Sequence, residues 1–343
     1  MELYIYSKEF IPIELLEGYS SVIWTKRWQD LDDAEITMPT SQLKEISDFS
    51  SMIDLYLYNA DLDDYMIIDG YEVKYDTEQG EMLTIYGADL LSILNRRIVW
   101  NQTIVSGTLT HCVTRLLNEN VISPTNTNRK IDNFAIGTFT DTHTIDSAQF
   151  TGDTIYEAIQ DLCNNQDVGY EIKLESGVFT FYLIEPTNRQ DYVVFSRDFD
   201  NLISYDRIKS QKQIKNVALV AGEGEGTDRK TAIVNDVAGL DRRELFVDAR
   251  QLSTNDGEVS LADYEKQLQA KGIEKLQSLS IDNSIDADID TRMYTYPVDY
   301  EVGDYIKIVD YRGVSHTAQI TEYITNSDIN GLTEYPNFII KED

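Results

Sequence analysis

Short alternating runs of β-favouring residues, punctuated by turn dipeptides, constrain this chain more than any other feature. LYIY (3–6), LYLY (55–58) and MLTIY (82–86) have the two-residue period of half-buried strands, with turn signals at Asp69-Gly70 and Gln79-Gly80. Twenty-two tyrosines, with many Ile, Val and Thr, suit pleated surfaces. Two hairpins stand out: residues 170–174 return through Glu175-Ser176-Gly177 into 178–184, and residues 304–310 return through Arg312-Gly313 into 316–324.

Three helices interrupt the strands. Leu109, Cys112, Val113 and Leu116 recur at i, i+3, i+4, i+7, as do Ile155, Ala158, Ile159 and Leu162. The second opens with Thr154-Ile-Tyr-Glu157, a capping box in which each side chain serves a free backbone donor. The third runs from Leu261 through Tyr264, Leu268 and Leu276, behind Ser260 and Asp263, and its Gly272 predicts a kink. The polar stretch 122–129 (ISPTNTNR) reads as a linker, with lesser breaks at 187–190 and 222–228. The order of elements predicts an α+β, mainly β chain with two β-rich bodies. The first spans 1–95 and is completed by strands from about 190–235. An α/β insertion covers 96–189, a connecting segment with the long helix 236–280, and the second β body 281–343.

Charge excludes whole classes of function. Sixty acidic residues against 29 basic ones give a net charge of -31 over 343 residues. Such a chain does not grip phosphate backbones, which requires Lys and Arg to displace counterions, nor does it dock on anionic lipid. No apolar run is long enough to span a bilayer, and the acidic start lacks the pattern of an export signal, so no membrane anchoring and synthesis in the cytoplasm are expected. Two cysteines and three histidines are too few for a disulfide framework, a Cys-based zinc site or a proton relay.

Candidate chemical sites dissolve on inspection. GEGEG at 222–226 follows an apolar strand, but residues 231–234 read as another strand, where a dinucleotide loop needs a helix N-terminus. It reads as a hairpin tip. Asp286-Ala-Asp288-Ile-Asp290 opens like a calcium loop, yet its sixth position is Thr291 and its twelfth Pro297. Its alternation instead places Ile285, Ala287 and Ile289 on one strand face and Asp282, Asp286, Asp288 and Asp290 on the other. That acidic face is either a solvated surface or the wall of a channel. His111 and Cys112 point about 100° apart on a helix, which leaves Cys112 to the core. Arg96-Arg97 reads as internal ion pairing. Trp24 and Trp28 read as core or interface, with a sugar-stacking platform as the alternative. No hydrolase motif is present, and no cofactor or metal is expected.

Several segments resemble, in order, the tail-tip hub family of long-tailed bacteriophages and prophages, which is similar in fold to the baseplate hub of contractile-tailed phages. They are IWTKRWQDLDDAEITMP (23–39), LTIYGADLLSILNRRIVW (83–100), residues 193–229, GLDRRELFVDARQL (239–252), YEKQLQAKGIEKL (264–276) and VDYEVGDYIKIVD (298–310). Asp33-Ala34-Glu35 departs from the family, which often has a glycine before this strand, and many relatives continue into a long C-terminal part with a cell-wall hydrolase or receptor-binding domain. The resemblance implies two tube-forming β-barrel-like bodies per subunit and a homotrimeric, pseudo-sixfold ring. The ring would join a distal tail protein or tail tube protein above to tip and receptor-binding proteins below, beside the tape-measure protein. DNA would pass an acidic lumen unbound, with Asp282, Asp286, Asp288 and Asp290 as lumen candidates. The implied protein is structural and non-enzymatic, assembled in the host cytoplasm into the virion. A carbohydrate-binding or adhesion module is the alternative, and a cell-wall hydrolase a more distant one.

Overall fold

A computed structural model describes residues 1–78, 80–140, 142–257, 259–279 and 282–341, with the backbone alone for Asp282, Asn283, Ser284 and Asp286. The chain opens with seven strands: β1 (Leu3–Tyr6), β2 (Pro12–Leu15), β3 (Ser21–Arg27), β4 (Asp33–Pro39), β5 (Tyr56–Asn59), β6 (Asp64–Asp76) and β7 (Gly80–Asp89). Then come β8 (Thr103–Thr108), α1 (Leu109–Leu117), β9 (Phe134–Ile136), β10 (Thr144–Phe150) and α2 (Ile155–Asn164). Strands β11 (Gly169–Glu175), β12 (Val178–Ile184), β13 (Val194–Ser196) and β14 (Leu202–Ser210) follow. Next are β15 (Val217–Ala221), β16 (Thr231–Val234), β17 (Glu244–Asp248) and α3 (Leu261–Gln277). The chain ends with β18 (Asp282–Ile289), β19 (Tyr305–Val309), β20 (Ser315–Asp328) and β21 (Gly331–Lys341).

These elements form two units, one of Met1–Ser92, Gly169–Arg207 and Ser284–Asp343, the other of Ile93–Val168 and Ile208–Asn283. The first unit is organised by one sheet with the order β14-β18-β21-β20-β3-β4-β7-β6-β5-β1-β2, while β19 bridges β13 and β20. Alternation in sequence becomes alternation in burial: Ala34, Ile36 and Met38 of β4 face the core, while Asp33, Glu35 and Thr37 face outward. Two separate cores result. One gathers Leu3, Val22, Trp24, Ile36, Leu57 and Ile85, and the other gathers Phe195, Ile285, Tyr300, Ile306, Tyr323 and Phe338.

Strand β20 belongs to both bodies. Its first half pairs with β19, its second half pairs with β3 from Glu322 onward, and its register against β21 shifts between Ile320 and Glu322. A bulge of this kind re-aims a strand and sharpens its twist, which lets one strand serve two curved bodies. The expected barrels do not close, since the strand order is linear and ends at β2 and β14. Asp69-Gly70, expected to be a turn, lies within β6 at a register shift between Ile68 and Gly70, because pairing with β7 continues on both sides. At the second expected turn, Gly80 opens β7 with φ +80°, and Gln79 lies outside the described residues.

Both expected hairpins form. Ser176 and Gly177 take φ of 51° and 79° between β11 and β12, the left-handed pair that a two-residue turn requires. In the β19–β20 turn, Asp310 accepts backbone N–H bonds from Arg312 and Val314, both 2.9 Å.

In the second unit the capping box of α2 is complete: Glu157 N–H donates to Thr154 Oγ1 (3.1 Å) and Thr154 N–H donates to Glu157 Oε2 (2.9 Å). Stretch 122–129 is an internal loop of this unit rather than a linker. Arg129 Nη2 there donates to Ile98 O at 2.6 Å, with its guanidinium over the Trp100 ring. The strands at 217–221 and 231–234, assigned from sequence to the first body, pair instead in a sheet ordered β16-β15-β17 under α3. Periodicity marks such strands without naming their partners. Helix α3 continues unbroken through Gly272. A Cβ there would lie 2.7 Å from Val220 Cγ2 and from Val234 Cγ2, so the glycine lets helix and sheet approach. Gly272→Ala should therefore cost about 1–3 kcal/mol, although alanine is the better helix former. A denaturant midpoint equal to or above the parent would contradict this.

Candidate functional site

The outward face of the first unit's sheet carries charge in a register that crosses both bodies. Asp286 on β18 stands opposite Asn337 on β21, Asn337 opposite Glu322 on β20, and Glu322 opposite Arg27 on β3. The row is bonded where side chains are described: Asn337 Nδ2 donates to Glu322 Oε2 at 2.7 Å, and Arg27 Nε donates to Glu322 Oε1 at 2.8 Å. Arg27 also pairs with Asp33 of β4. Farther along, Glu35 stands opposite Tyr86 on β7, and Glu72 of β6 opposite Thr84. Asp33, Glu35, Glu72, Asp288 and Glu322 thus share this face with Arg27 and Lys74, an acidic excess.

Where its side chains are described, β18 follows the expected alternation. Ile285, Ala287 and Ile289 are buried in the second core, and Asp288 is exposed and accepts from Ser204 Oγ of β14 at 2.6 Å. Asp290 differs. It lies just past the strand, and Arg292 Nε donates to both its oxygens at 2.8 and 2.9 Å. That bonding holds its carboxyl down at about 2, so its charge is locally answered. The side chains of Asp282 and Asp286 lie outside the described residues.

Sequence reading missed the group beneath this face, at the β3–β4 turn. Lys26 points to the core side, where its Nζ lies 2.5 Å from Asp32 Oδ2 and 3.1 Å from Asp64 Oδ2. Trp24 Nε1 donates to the same Asp64 oxygen at 3.0 Å. Asp32 accepts Arg27 N–H at 2.6 Å, and its own N–H donates to Asp89 Oδ2 at 3.2 Å. Burial pushes the Asp32 carboxyl well up, against the pull of Lys26. Burial likewise pushes Asp89 up to about 6, again with Lys26 opposing. The only hint in the sequence was density: Lys26, Arg27, Asp30, Asp32 and Asp33 crowd one turn.

A pH dependence follows. Asp89 in the folded chain keeps its proton up to about pH 6, whereas an unfolded aspartate releases it near about 3.9. Its contribution is complete below the unfolded value and is lost as pH rises through about 6. The unfolding free energy from urea titrations should thus rise as pH falls from 8 toward 5, by on the order of 1–2 kcal/mol from this group. A flat or inverted profile over that range would count against the assignment.

Other candidates resolve structurally. Trp24 is fully buried, and the Trp28 ring fills space that a Cβ at Gly169 or Gly303 would occupy, at 2.1 and 2.2 Å. The pair therefore offers no sugar platform. Cys112 is buried on the core stripe of α1. Arg97 donates to the carbonyl oxygens of Arg129 and Arg96 (2.5 and 2.8 Å). Residues 222–230 form the β15–β16 loop, closed by Gly222 N–H to Lys230 O at 2.8 Å. No cluster of three His, Cys, Asp or Glu able to hold a metal occurs among the described residues, and no described helix is long and apolar enough to cross a membrane.

This arrangement is the fold of phage and prophage tail proteins. The chain is similar to the tail protein from Neisseria meningitidis MC58, with 13% identity, TM-score 0.60, and coverage of 99% of this chain and 96% of that one. It is similar to the 43 kDa tail protein of prophage MuSo2 from Shewanella oneidensis, with 13% identity, TM-score 0.58, and coverage of 99% and 98%. A third likeness is to the E. coli c3393 protein, a type VI secretion component described as structurally similar to T4 bacteriophage tail proteins gp27 and gp5, with 8% identity, TM-score 0.51, and coverage of 100% and 78%. A sequence comparison with curated proteins gives no match. The chain belongs to the siphovirus ReqiPepy6 Gp37-like protein family, which matches residues 2–336.

Proposed function

We propose that this protein is a structural, non-enzymatic hub of the phage tail tip. Three copies would form a ring in which two β bodies per subunit give six positions around a channel. One observation carries the reading: a single sheet holds two separate cores, and β20 is shared between them at a bulge. Three copies of a two-body subunit match sixfold neighbours above and threefold ones below. Among the described residues the strand order ends at β2 and β14, edges at which adjoining chains could add strands, which supports closure on assembly. The distal tail or tail tube protein, the tape-measure protein and the tip or receptor-binding proteins are the expected neighbours, within a virion assembled in the host cytoplasm.

The acidic outward face is the proposed lumen wall, with Asp288 as its described representative on β18 and Asp282, Asp286 and Asp290 as the companions suggested by sequence. Fixed carboxylates repel a passing duplex and deny it the cations that would hold it. Light scattering followed by negative-stain imaging tests the ring: a trimer with a central hole is expected, and a compact monomer that fails to enter particles would sink it. For the lumen, phage carrying Asp288→Lys together with Glu322→Lys should eject DNA more slowly. Unchanged ejection kinetics would remove this face from the channel.

A further inference from the structure

We infer that the outer face of the β16-β15-β17 sheet in the second unit is a contact between copies of this chain. The sheet is covered on one side by α3, which buries Ala218, Val220, Ala232, Val234 and Val247. Its other side exposes an apolar row. Leu219 is 41% exposed, Ile233 53% and Phe246 59%, and they stand in register as Ile233–Leu219–Phe246 across the three strands. The β16–β17 connection adds Leu240, fully exposed. Isolated apolar residues on a surface are ordinary, whereas a contiguous row directly opposed across three strands marks an interaction surface.

Charge selects the occupant. A chain of net charge -31 repels another copy nearly everywhere. Residues 208–250 are nearly balanced, with eight Lys or Arg against seven Asp or Glu. The signs are interleaved at the rim of the row. Arg229 lies over the Phe246 ring at 5.8 Å and bonds Asp248 at 2.5 Å, and Arg242 bonds Asp236 and Glu244, both at 2.5 Å. A nucleic acid or an anionic membrane would need a net positive face, and a strongly basic partner would prefer the acidic remainder of the chain. A second copy gains the apolar burial here at little electrostatic cost. The inference depends on the ring reading for the number of copies only.

Sedimentation velocity across a concentration series tests it with the full chain. The parent should self-associate, and Phe246→Lys and Leu219→Lys should each raise the dissociation constant by about a hundredfold or more. Val298→Lys, at a position 76% exposed in the first unit, should leave association unchanged. Should a lysine variant lose its far-UV circular dichroism, the triple change Leu219→Thr, Ile233→Thr and Phe246→Thr keeps strand propensity and should dissociate in the same way. A parent that remains monomeric at high micromolar concentration overturns the contact, as do patch variants that keep the parental mass. In the latter case a trimer would still stand as the ring, with its contacts elsewhere.

Discussion

Lys26→Met is expected to cost about 3–5 kcal/mol of stability at pH 7, the penalty for removing one partner from a buried ion cluster. The lysine side chain is 22% exposed and Asp32 only 8%. Nothing else described supplies a full positive charge at that spot, because Arg27 is turned to the opposite face toward Glu322. Without Lys26, Asp32 and Asp64 would lose their shared cation, and the first body would lose its fixed β3–β4 turn. Chemical denaturation at pH 7 measures the loss, and the same experiment at pH 5 should show a smaller one, since Asp89 then carries a proton on its own account. Adding Asp32→Asn should recover part of the stability, because the remaining charge has less to answer. A cost under about 1 kcal/mol would show that water reaches this cluster and screens it as at a surface.

Gly303→Ala is expected to be comparably severe, at about 3–5 kcal/mol, from two additive causes. Gly303 sits at φ +93°, where a side chain strains the backbone. Its Cβ would also fall 2.2 Å from Trp28 Cε3, inside the ring's own volume. The Gly303 N–H meanwhile donates to Ile320 O at 2.7 Å, so the backbone is not free to retreat. The two causes separate in a double-mutant cycle. In a Trp28→Leu background the steric part should vanish and the conformational part remain, leaving a coupling of more than about 1 kcal/mol. Strict additivity would mean that Trp28 does not fill this space.

The two predictions concern the same seam. TKRWQD at 25–30 supplies Lys26 for the core side, Arg27 for the outward face and Trp28 for the gap between Gly169 and Gly303, three successive residues with three different surroundings. In sequence this segment was visible as part of a family resemblance. Its mechanical meaning was not, because beside the local partners Asp32 and Asp33 it depends on residues far along the chain: Asp64, Gly169, Gly303 and Glu322.

By itself the sequence determined what depends on neighbours within a few residues. The α2 capping box, the Ser176-Gly177 turn and the inward Ile285, Ala287 and Ile289 are set by local geometry, by glycine's freedom and by the two-residue period of a strand. The outward position of Asp288 was legible for the same reason. Tertiary structure alone decided which strands pair. It put 217–221 and 231–234 with α3, extended the acidic face onto Asp33, Glu35 and Glu322, and packed Gly272 against Val220 and Val234. Periodicity gives a strand its two faces, but its partner is chosen by burial summed over the whole chain, and no short window of sequence contains that sum.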